Sequence, residues 1–128
     1  MTRHTLTWMA LFTTAALLAP GLAAAADPAM EKDGMLVDHK GMTLYTYKDD
    51  EGHPGKSMCN DGCAKNWPPL MAAKNAKPMG DWTVIKRDDG SMMWAYYGKP
   101  LYTFVKDTKA GDKTGDGMGG KWNIAKPE

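Results

Sequence analysis

Short stretches of alternating apolar and polar residues run along the chain, each bounded by glycine, proline or aspartate. Aromatic and β-branched residues at alternate positions fit a pleated, half-buried surface, so residues 44–47 and 101–104 are predicted to be β-strands. Because successive side chains of a strand point to opposite faces, Tyr45 and Tyr47 share one face and Leu44 points to the other. The second stretch has the same alternation.

Other stretches with strand character flank these two: residues 35–37, 82–85 and 92–94. Segments rich in glycine, aspartate or proline separate them and predict hairpin turns: residues 38–41, 88–91 and 97–100. A helical pattern is confined to one brief segment, residues 71–77. The pattern therefore predicts a mostly β, small antiparallel domain.

The chain repeats itself at an offset of 57 residues. The residues that recur form the pattern Tyr-x-aromatic-x-x-Asp, which comprises Tyr45, Tyr47 and Asp50 in the first copy and Tyr102, Phe104 and Asp107 in the second. The same register places Met35 on Met92 upstream, and a gap of two residues brings Trp67 onto Trp122 downstream. The match therefore extends well beyond the motif itself.

Two similar hairpin-based units, about residues 35–69 and 92–126, follow from this register and are predicted to pack with pseudo-two-fold symmetry. Duplicated aromatic residues belong more often to a core than to a binding surface, so the two aromatic faces are predicted to share one core. Asp50 and Asp107 come where each strand gives way to a polar loop, and a carboxylate there accepts backbone N–H hydrogen bonds that hold the loop. A role as ligand is the alternative for both aspartates.

The first residues have the pattern of an export signal. A basic start precedes an apolar run over residues 6–18, and three alanines at positions 24–26 follow a Pro-Gly break. This pattern predicts a cleaved secretory signal peptide, residues 1–26. The run is short of the roughly 20 apolar residues that a membrane-spanning helix needs. The mature chain is expected to be a single domain, residues 27–128, in the periplasm or secreted from the cell.

The charges of the mature chain balance. Of the 16 basic and 15 acidic residues only Arg3 is lost with the signal peptide, which leaves 15 of each sign. The lysines are scattered singly rather than clustered, which argues against nucleic acid as a partner. No cysteine lies at the predicted cleavage site, so no lipid anchor is expected. The partner classes that remain are an envelope protein and a small ligand.

Cys59 and Cys63 are the only cysteines of the chain. An exported protein in an oxidising compartment normally pairs an even number of cysteines, so a structural disulfide that braces the turn before Trp67 is predicted. A copper-binding or redox-active pair is the alternative, because Cys-x-x-x-Cys also occurs in copper-handling thioredoxin-like proteins. A thiol oxidoreductase would need Cys59 to be exposed and its thiol pKa to be lowered.

Nine methionines remain after residue 26, and thioether ligands suit Cu(I) in an envelope compartment. His39 and Met42 flank one predicted turn, and His53 and Met58 lie in the next loop. If these loops converge, the four side chains and the cysteine pair would form a copper site. Adaptable core filling is the alternative for most of the methionines.

Two further motifs are incomplete. Residues 112–117 match the first half of a calcium-binding loop, but position twelve is Asn123 in place of the bidentate glutamate. A later Gly-x-Gly-x-x-Gly has the spacing of a dinucleotide fingerprint, but too few residues follow for the helix and strand that it needs. His39 and His53 both lie in polar turns, so no catalytic triad is predicted and the protein is not expected to be an enzyme.

Two more motifs accompany the duplicated pattern. The run Cys-x-x-x-Cys-Ala-x-x-Trp-Pro-Pro-Leu extends from Cys59 to Leu70, and Gly-Gly-Lys-Trp ends at Trp122. In this order the motifs resemble the bacterial family of secreted repeats of unknown function, whose members are envelope lipoproteins or secreted proteins. The resemblance covers nearly all of the mature chain and implies export and internal duplication. It implies no catalytic residues, because no activity is established for the family.

The leading hypothesis is therefore a non-catalytic envelope protein that binds or scaffolds an unidentified partner, without a cofactor. The alternatives are a periplasmic copper-binding protein and a thiol–disulfide redox protein. Only the first unit contains the cysteines and both histidines of the mature chain, so specific chemistry is expected between His39 and Cys63.

Overall fold

Short strands and tight turns make up most of the structure, a computed structural model that describes residues 27–128. Within this range the strands are, in chain order, β1 (Met30–Lys32), β2 (Met35–Val37), β3 (Tyr45–Tyr47), β4 (Met71–Ala72), β5 (Trp82–Lys86), β6 (Met92–Tyr96), β7 (Lys99–Pro100) and β8 (Trp122–Ile124). An α-helix, α1 (Gly62–Asn66), and 3₁₀ helices at Lys48–Asp50 and Met118–Gly120 interrupt them. The predicted mostly β class is confirmed, whereas the predicted signal peptide lies outside the described residues.

Two hairpins turn through a pair of residues with positive φ, of which the second is glycine. Asp33 and Gly34, at φ 52° and 80°, connect β1 to β2, and Tyr97 and Gly98, at φ 49° and 78°, connect β6 to β7. Both pairs have the positive φ angles of a type I′ turn, whose twist matches that of the paired strands. β6 pairs with β5 along its whole length, so β4 and β7 share its other edge.

The two repeat units are interleaved, because the end of each unit pairs with the motif segment of the other. β3 of the first unit pairs with β8 at the end of the second, with Tyr45 opposite Ile124. Pro69, at the end of the first unit, forms a bridge with Tyr102 of the second. Tyr45 and Tyr102 also bridge each other through two backbone hydrogen bonds of 2.8 and 3.0 Å. The units therefore meet at these two tyrosines.

Two rings of backbone hydrogen bonds show how closely the units match. Each ring joins three residues: Leu36, Leu44 and Ala125 in one, and Trp94, Leu101 and Leu70 in the other. In both rings, the N–H of the leucine before the motif tyrosine donates to a carbonyl of the upstream strand. The N–H of that upstream residue donates to a carbonyl at the end of the other unit, whose own N–H donates back to the carbonyl of the leucine. The matched contacts support the predicted pseudo-two-fold packing.

The predicted register is wrong upstream of the motif. It placed Met35 on Met92, but the matched rings pair Leu36 with Trp94, which is one residue further along the second unit. The first turn has one residue more than the second. Its extra length is held by the Asp38 carboxylate, which accepts two hydrogen bonds from backbone N–H groups of the same turn.

The predicted helix at residues 71–77 is absent from this described segment. Met71 and Ala72 instead form β4 and pair with Met93 and Met92 of β6. Strand pairing overrides the weak helix propensity of so short a segment. The helix that does form, α1, was not predicted. Within residues 27–128 no helix has the length and apolar character needed to cross a membrane.

Residues 101–104 also differ from the prediction, because they form isolated bridges at Tyr102 rather than a strand. Their neighbour on one side is Pro69, and a proline offers no N–H to extend a ladder. The other predicted strands are confirmed at 35–37 (β2), 82–85 (β5) and 92–94 (β6), and Tyr45–Tyr47 forms β3.

Buried residues form two clusters that lie on opposite faces of the motif segments. The aromatic cluster is built on Tyr45, Trp67, Tyr102, Phe104 and Trp122, together with Cys59, Ile85, Met93 and Ala95. The second cluster contains Ala29, Leu36, Leu44, Trp82, Leu101 and Ala125. The motif aromatics therefore face one core and the preceding leucines face the other, as the strand alternation predicts.

Candidate functional site

The tyrosines and aspartates of the duplicated motif pair crosswise between the units. The Tyr45 hydroxyl donates to Asp107 Oδ2 and the Tyr102 hydroxyl donates to Asp50 Oδ2, both at 2.6 Å. All four residues are at most 7% exposed. Hydrogen bonds from a hydroxyl to a carboxylate are stronger than neutral ones. We call these four residues the reciprocal lock, since each unit supplies the donor of one pair and the acceptor of the other.

The second oxygen of each lock carboxylate holds the loop that follows it. Asp50 Oδ1 accepts the backbone N–H of Met58 at 2.7 Å, and Asp107 Oδ1 accepts that of Thr114 at 2.9 Å. These bonds are of the kind predicted for a carboxylate that holds a loop. Both oxygens of each carboxylate are therefore engaged within the protein.

Four aromatic rings form a continuous stack between the units. In order, the rings are Phe104, Trp67, Trp122 and Tyr47, with centroid separations of 4.0, 3.8 and 4.2 Å and interplanar angles of 18°, 3° and 14°. Tyr45 and Tyr102 contact the two tryptophans edge to face, at 5.4 and 5.2 Å. The predicted shared aromatic core is confirmed, and Tyr47 is its half-buried member.

A buried arginine distinguishes one end of the lock from the other. Arg87 is 5% exposed, and its guanidinium donates to the carbonyl oxygen of Cys59 at 2.6 Å and to the Ser57 hydroxyl at 2.9 Å. The same hydroxyl lies 2.7 Å from the Tyr102 hydroxyl, which donates to Asp50. Sequence reasoning missed Arg87, because a single basic residue beside a polar turn is usually a surface charge.

Burial keeps the two tyrosines of the lock protonated. It raises the pKa of Tyr45 and Tyr102 above the usual range, and the hydrogen bond from each tyrosine to its carboxylate acts in the same direction. Burial also raises the pKa of Asp50, although the bond from Tyr102 and the charge of Arg87 oppose that shift. The tyrosines are thus held as donors well beyond neutral pH.

Alkaline pH is therefore expected to destabilise the fold. Below about pH 10, the pKa of tyrosine in the unfolded chain, the lock makes its full contribution to the free energy of unfolding. Above this pH the unfolded chain loses two protons that the folded chain keeps. Each lock tyrosine then lowers the free energy of unfolding by about 1.4 kcal/mol per pH unit. Combined absorbance and circular dichroism titration should show Tyr45 and Tyr102 ionising only as the protein unfolds. Ionisation of all five tyrosines in an intact fold would contradict the lock.

Cys59 and Cys63 form the predicted disulfide, with Cα atoms 5.1 Å apart. Cys59 has no exposed surface and belongs to the aromatic cluster, while Cys63 lies in α1. The exposed thiol that a thiol–disulfide redox protein would need is therefore not found at Cys59.

Removing the disulfide is expected to lower the free energy of unfolding by about 2 kcal/mol, the chain-entropy value for so short a loop. Urea unfolding of the double variant Cys59→Ala/Cys63→Ala measures the loss. The wild-type protein in reductant is the control and should lose a similar amount, whereas the variant should not respond to reductant. Unchanged midpoints in both experiments would exclude a bracing role.

The predicted copper ligands do not come together as one group. His39 borders one cleft, and its Nε2 lies 2.7 Å from the carbonyl oxygen of Asp27. His53 and Met58 border a different cleft, while Met42 donates its backbone N–H to the turn carboxylate described above. Among residues 27–128 no group of three or more His, Cys, Asp or Glu side chains is arranged to hold a metal ion. The geometry therefore adds no support to the copper hypothesis.

An ion pair and a phenol meet at the half-buried end of the aromatic stack. Lys121 Nζ donates to both oxygens of Asp49, at 2.8 and 2.9 Å, and the Tyr47 hydroxyl donates to Asp49 Oδ2 at 3.1 Å. The lysine lowers the pKa of Asp49, while burial and the bond to the carboxylate raise the pKa of Tyr47. The stack thus ends at the surface in a phenol bonded to a charged carboxylate.

Comparisons with known proteins identify the repeat but no activity. A family model described as a secreted repeat of unknown function matches two segments of the chain, residues 29–71 and 83–126. Each matched segment contains one copy of the motif and overlaps one predicted unit. No curated protein and no solved structure matches the chain.

Proposed function

The chain belongs to the family of secreted repeats of unknown function, and from this premise we propose that it is an exported, non-catalytic module that binds or scaffolds an envelope partner. In this proposal the duplicated motif stabilises a rigid frame for the domain, and the exposed surface recognises the partner. It involves no cofactor.

The reciprocal lock is the observation that carries this proposal. A catalytic group must reach the substrate on which it acts, but both motif carboxylates are buried and engaged on both oxygens. The motif aromatics are packed into the core or half-buried at its edge. The motif therefore supports a rigid frame, which leaves recognition of a partner to the remaining surface.

Single exposed apolar side chains provide contact points on this frame. Among residues 27–128, six large ones are at least 41% exposed: Met30, Met58, Met71, Tyr97, Val105 and Met118. Methionine and aromatic residues are enriched where proteins bind each other. Because these six positions lie on different strands and loops, a bound partner should touch only a subset of them.

Site-specific photo-cross-linking in intact cells tests the proposal. A photoreactive amino acid is placed at each of the six exposed positions in turn, in the full chain with its own export signal. A binding module should give a discrete adduct at neighbouring positions and none at the others. The absence of adducts at all six positions would contradict a binding role, and uniform labelling at all six would indicate collision rather than a specific contact.

A further inference from the structure

We propose that electrons move along the aromatic stack to an oxidised tryptophan in the core, and that Tyr47 is the residue that finally donates the electron and holds the radical at the surface. A tryptophan of the stack that loses an electron to a one-electron oxidant would be restored by Tyr47, which then holds the radical at the surface. This is a protective activity toward oxidants, separate from the binding role proposed above.

Ring contact makes the stack a continuous path. Trp67 and Trp122 lie 3.8 Å apart and within 3° of parallel, and Trp122 continues to Tyr47 at 4.2 Å and 14°. Electron transfer between aromatic rings falls steeply with separation and favours overlapping faces. An oxidised tryptophan in this stack is therefore in direct π contact with the next donor.

The direction of transfer follows from the different chemistry of the two end rings. Phe104 and Tyr47 occupy matching positions in the two units, and each stacks on a tryptophan. A phenol that releases its proton is oxidised more easily than a tryptophan, whereas an unsubstituted benzene ring is much harder to oxidise. Tyr47, and not Phe104, therefore donates the electron to an oxidised tryptophan, and the radical ends on Tyr47.

Asp49 supplies the proton acceptor that this step requires. An oxidant takes one electron from Trp122; Tyr47 then gives one electron to the Trp122 radical cation and passes its hydroxyl proton to Asp49 Oδ2, 3.1 Å away. The products are neutral Trp122, a neutral tyrosyl radical and a protonated carboxyl. A thiol or another hydrogen-atom donor in solution returns the electron and proton, which closes the cycle. The Asp49 carboxylate is charged at neutral pH and can therefore accept this proton, and its ion pair with Lys121 holds it beside the phenol.

The lock tyrosines are the competing outlets. Tyr45 and Tyr102 also donate to carboxylates, but they meet the tryptophans at 82° and 89° and more than 5 Å away. Neither has any exposed surface, so a radical formed there would be sealed from a reductant. Face-to-face contact and access to solvent both favour Tyr47.

Flash oxidation of the protein purified from the envelope tests the path. Photogenerated ruthenium(III) trisbipyridine is the one-electron oxidant, and transient absorption follows the separate tryptophanyl and tyrosyl radical bands. In the wild type the tryptophanyl signal should decay as the tyrosyl signal rises, at a rate independent of protein concentration. Tyr47→Phe should abolish the rise and prolong the tryptophanyl signal, and Asp49→Asn should slow the rise.

Matched variants separate the path from a general effect of losing a phenol. Tyr97→Phe removes an exposed tyrosine outside the stack and should leave both signals unchanged. Urea midpoints confirm that each variant is folded at the time of the flash. A tyrosyl rise that persists in Tyr47→Phe, or that is lost in Tyr97→Phe or Tyr102→Phe instead, would overturn the assignment.

Discussion

Replacing Arg87 with methionine is expected to lower the free energy of unfolding by about 3 kcal/mol. Methionine keeps most of the buried volume but removes the donors to the Cys59 carbonyl and the Ser57 hydroxyl. The buried Cys59 carbonyl would then keep only a 3.5 Å contact with the Ser57 hydroxyl, and losing a charged donor to a buried acceptor costs far more than an exposed hydrogen bond is worth. The loss of the positive charge also raises the pKa of Asp50 further, because Arg87 opposes the effect of burial there.

Lys86→Met is the matched control, because this neighbouring basic residue is exposed at the end of β5, directly before Arg87. It should change stability by no more than about 0.5 kcal/mol. Urea or thermal unfolding of the two variants decides between the interpretations. Equal midpoints for Arg87→Met and Lys86→Met would mean that the buried arginine does not tie the end of β5 to the disulfide loop.

Gly115→Ala is expected to cost about 3 kcal/mol, at the upper end of overpacking effects. A Cβ at this position would lie 2.6 Å from Trp67 Cη2 and 3.0 Å from Phe104 Cδ2. Both rings belong to the stack, where Trp67 lies between Phe104 and Trp122 and has no room to move aside. The strain would also disturb the Gly115 N–H that donates to the Tyr45 hydroxyl at 3.2 Å.

Gly62→Ala makes the same chemical change at a site where it should help. A Cβ on Gly62 meets nothing within 4 Å, and this glycine lies in α1 without a positive φ. Alanine there should stabilise the protein by about 0.4–1 kcal/mol, because it reduces the conformational freedom that the unfolded chain loses on folding. Equal effects of the two substitutions on the unfolding midpoint would contradict the tight packing assigned to Gly115.

The sequence identified the residues of the lock but not their pairing. Tyr45 and Asp50 recur together because each unit needs both, and a repeat search reports this spacing within a unit. The hydrogen bonds instead run from Tyr45 to Asp107 and from Tyr102 to Asp50, since the ends of the units are exchanged. Interleaving of this kind leaves no local pattern, because it depends on contacts between residues that are distant in sequence.

Other differences have local causes that a single sequence hides. The predicted alignment of the two units is off by one residue upstream of the motif, because the first turn contains an extra residue that the Asp38 carboxylate holds. The helix predicted at 71–77 gave way to pairing with β6, and a short helix formed beside the disulfide instead. The disulfide itself was predictable, because Cys59 and Cys63 have no other partners in the chain and export favours oxidation.

Double-mutant cycles on the lock test the central claim that the two units are tied crosswise. One cycle combines Tyr45→Phe with Asp107→Asn, and the other combines Tyr45→Phe with Asp50→Asn. Urea unfolding should give a coupling energy of about 1.5–2 kcal/mol for the pair in different units, the value of a hydrogen bond to a charged group. The pair within one unit should couple by less than about 0.5 kcal/mol. Coupling that is larger within a unit than between units would contradict the crosswise lock.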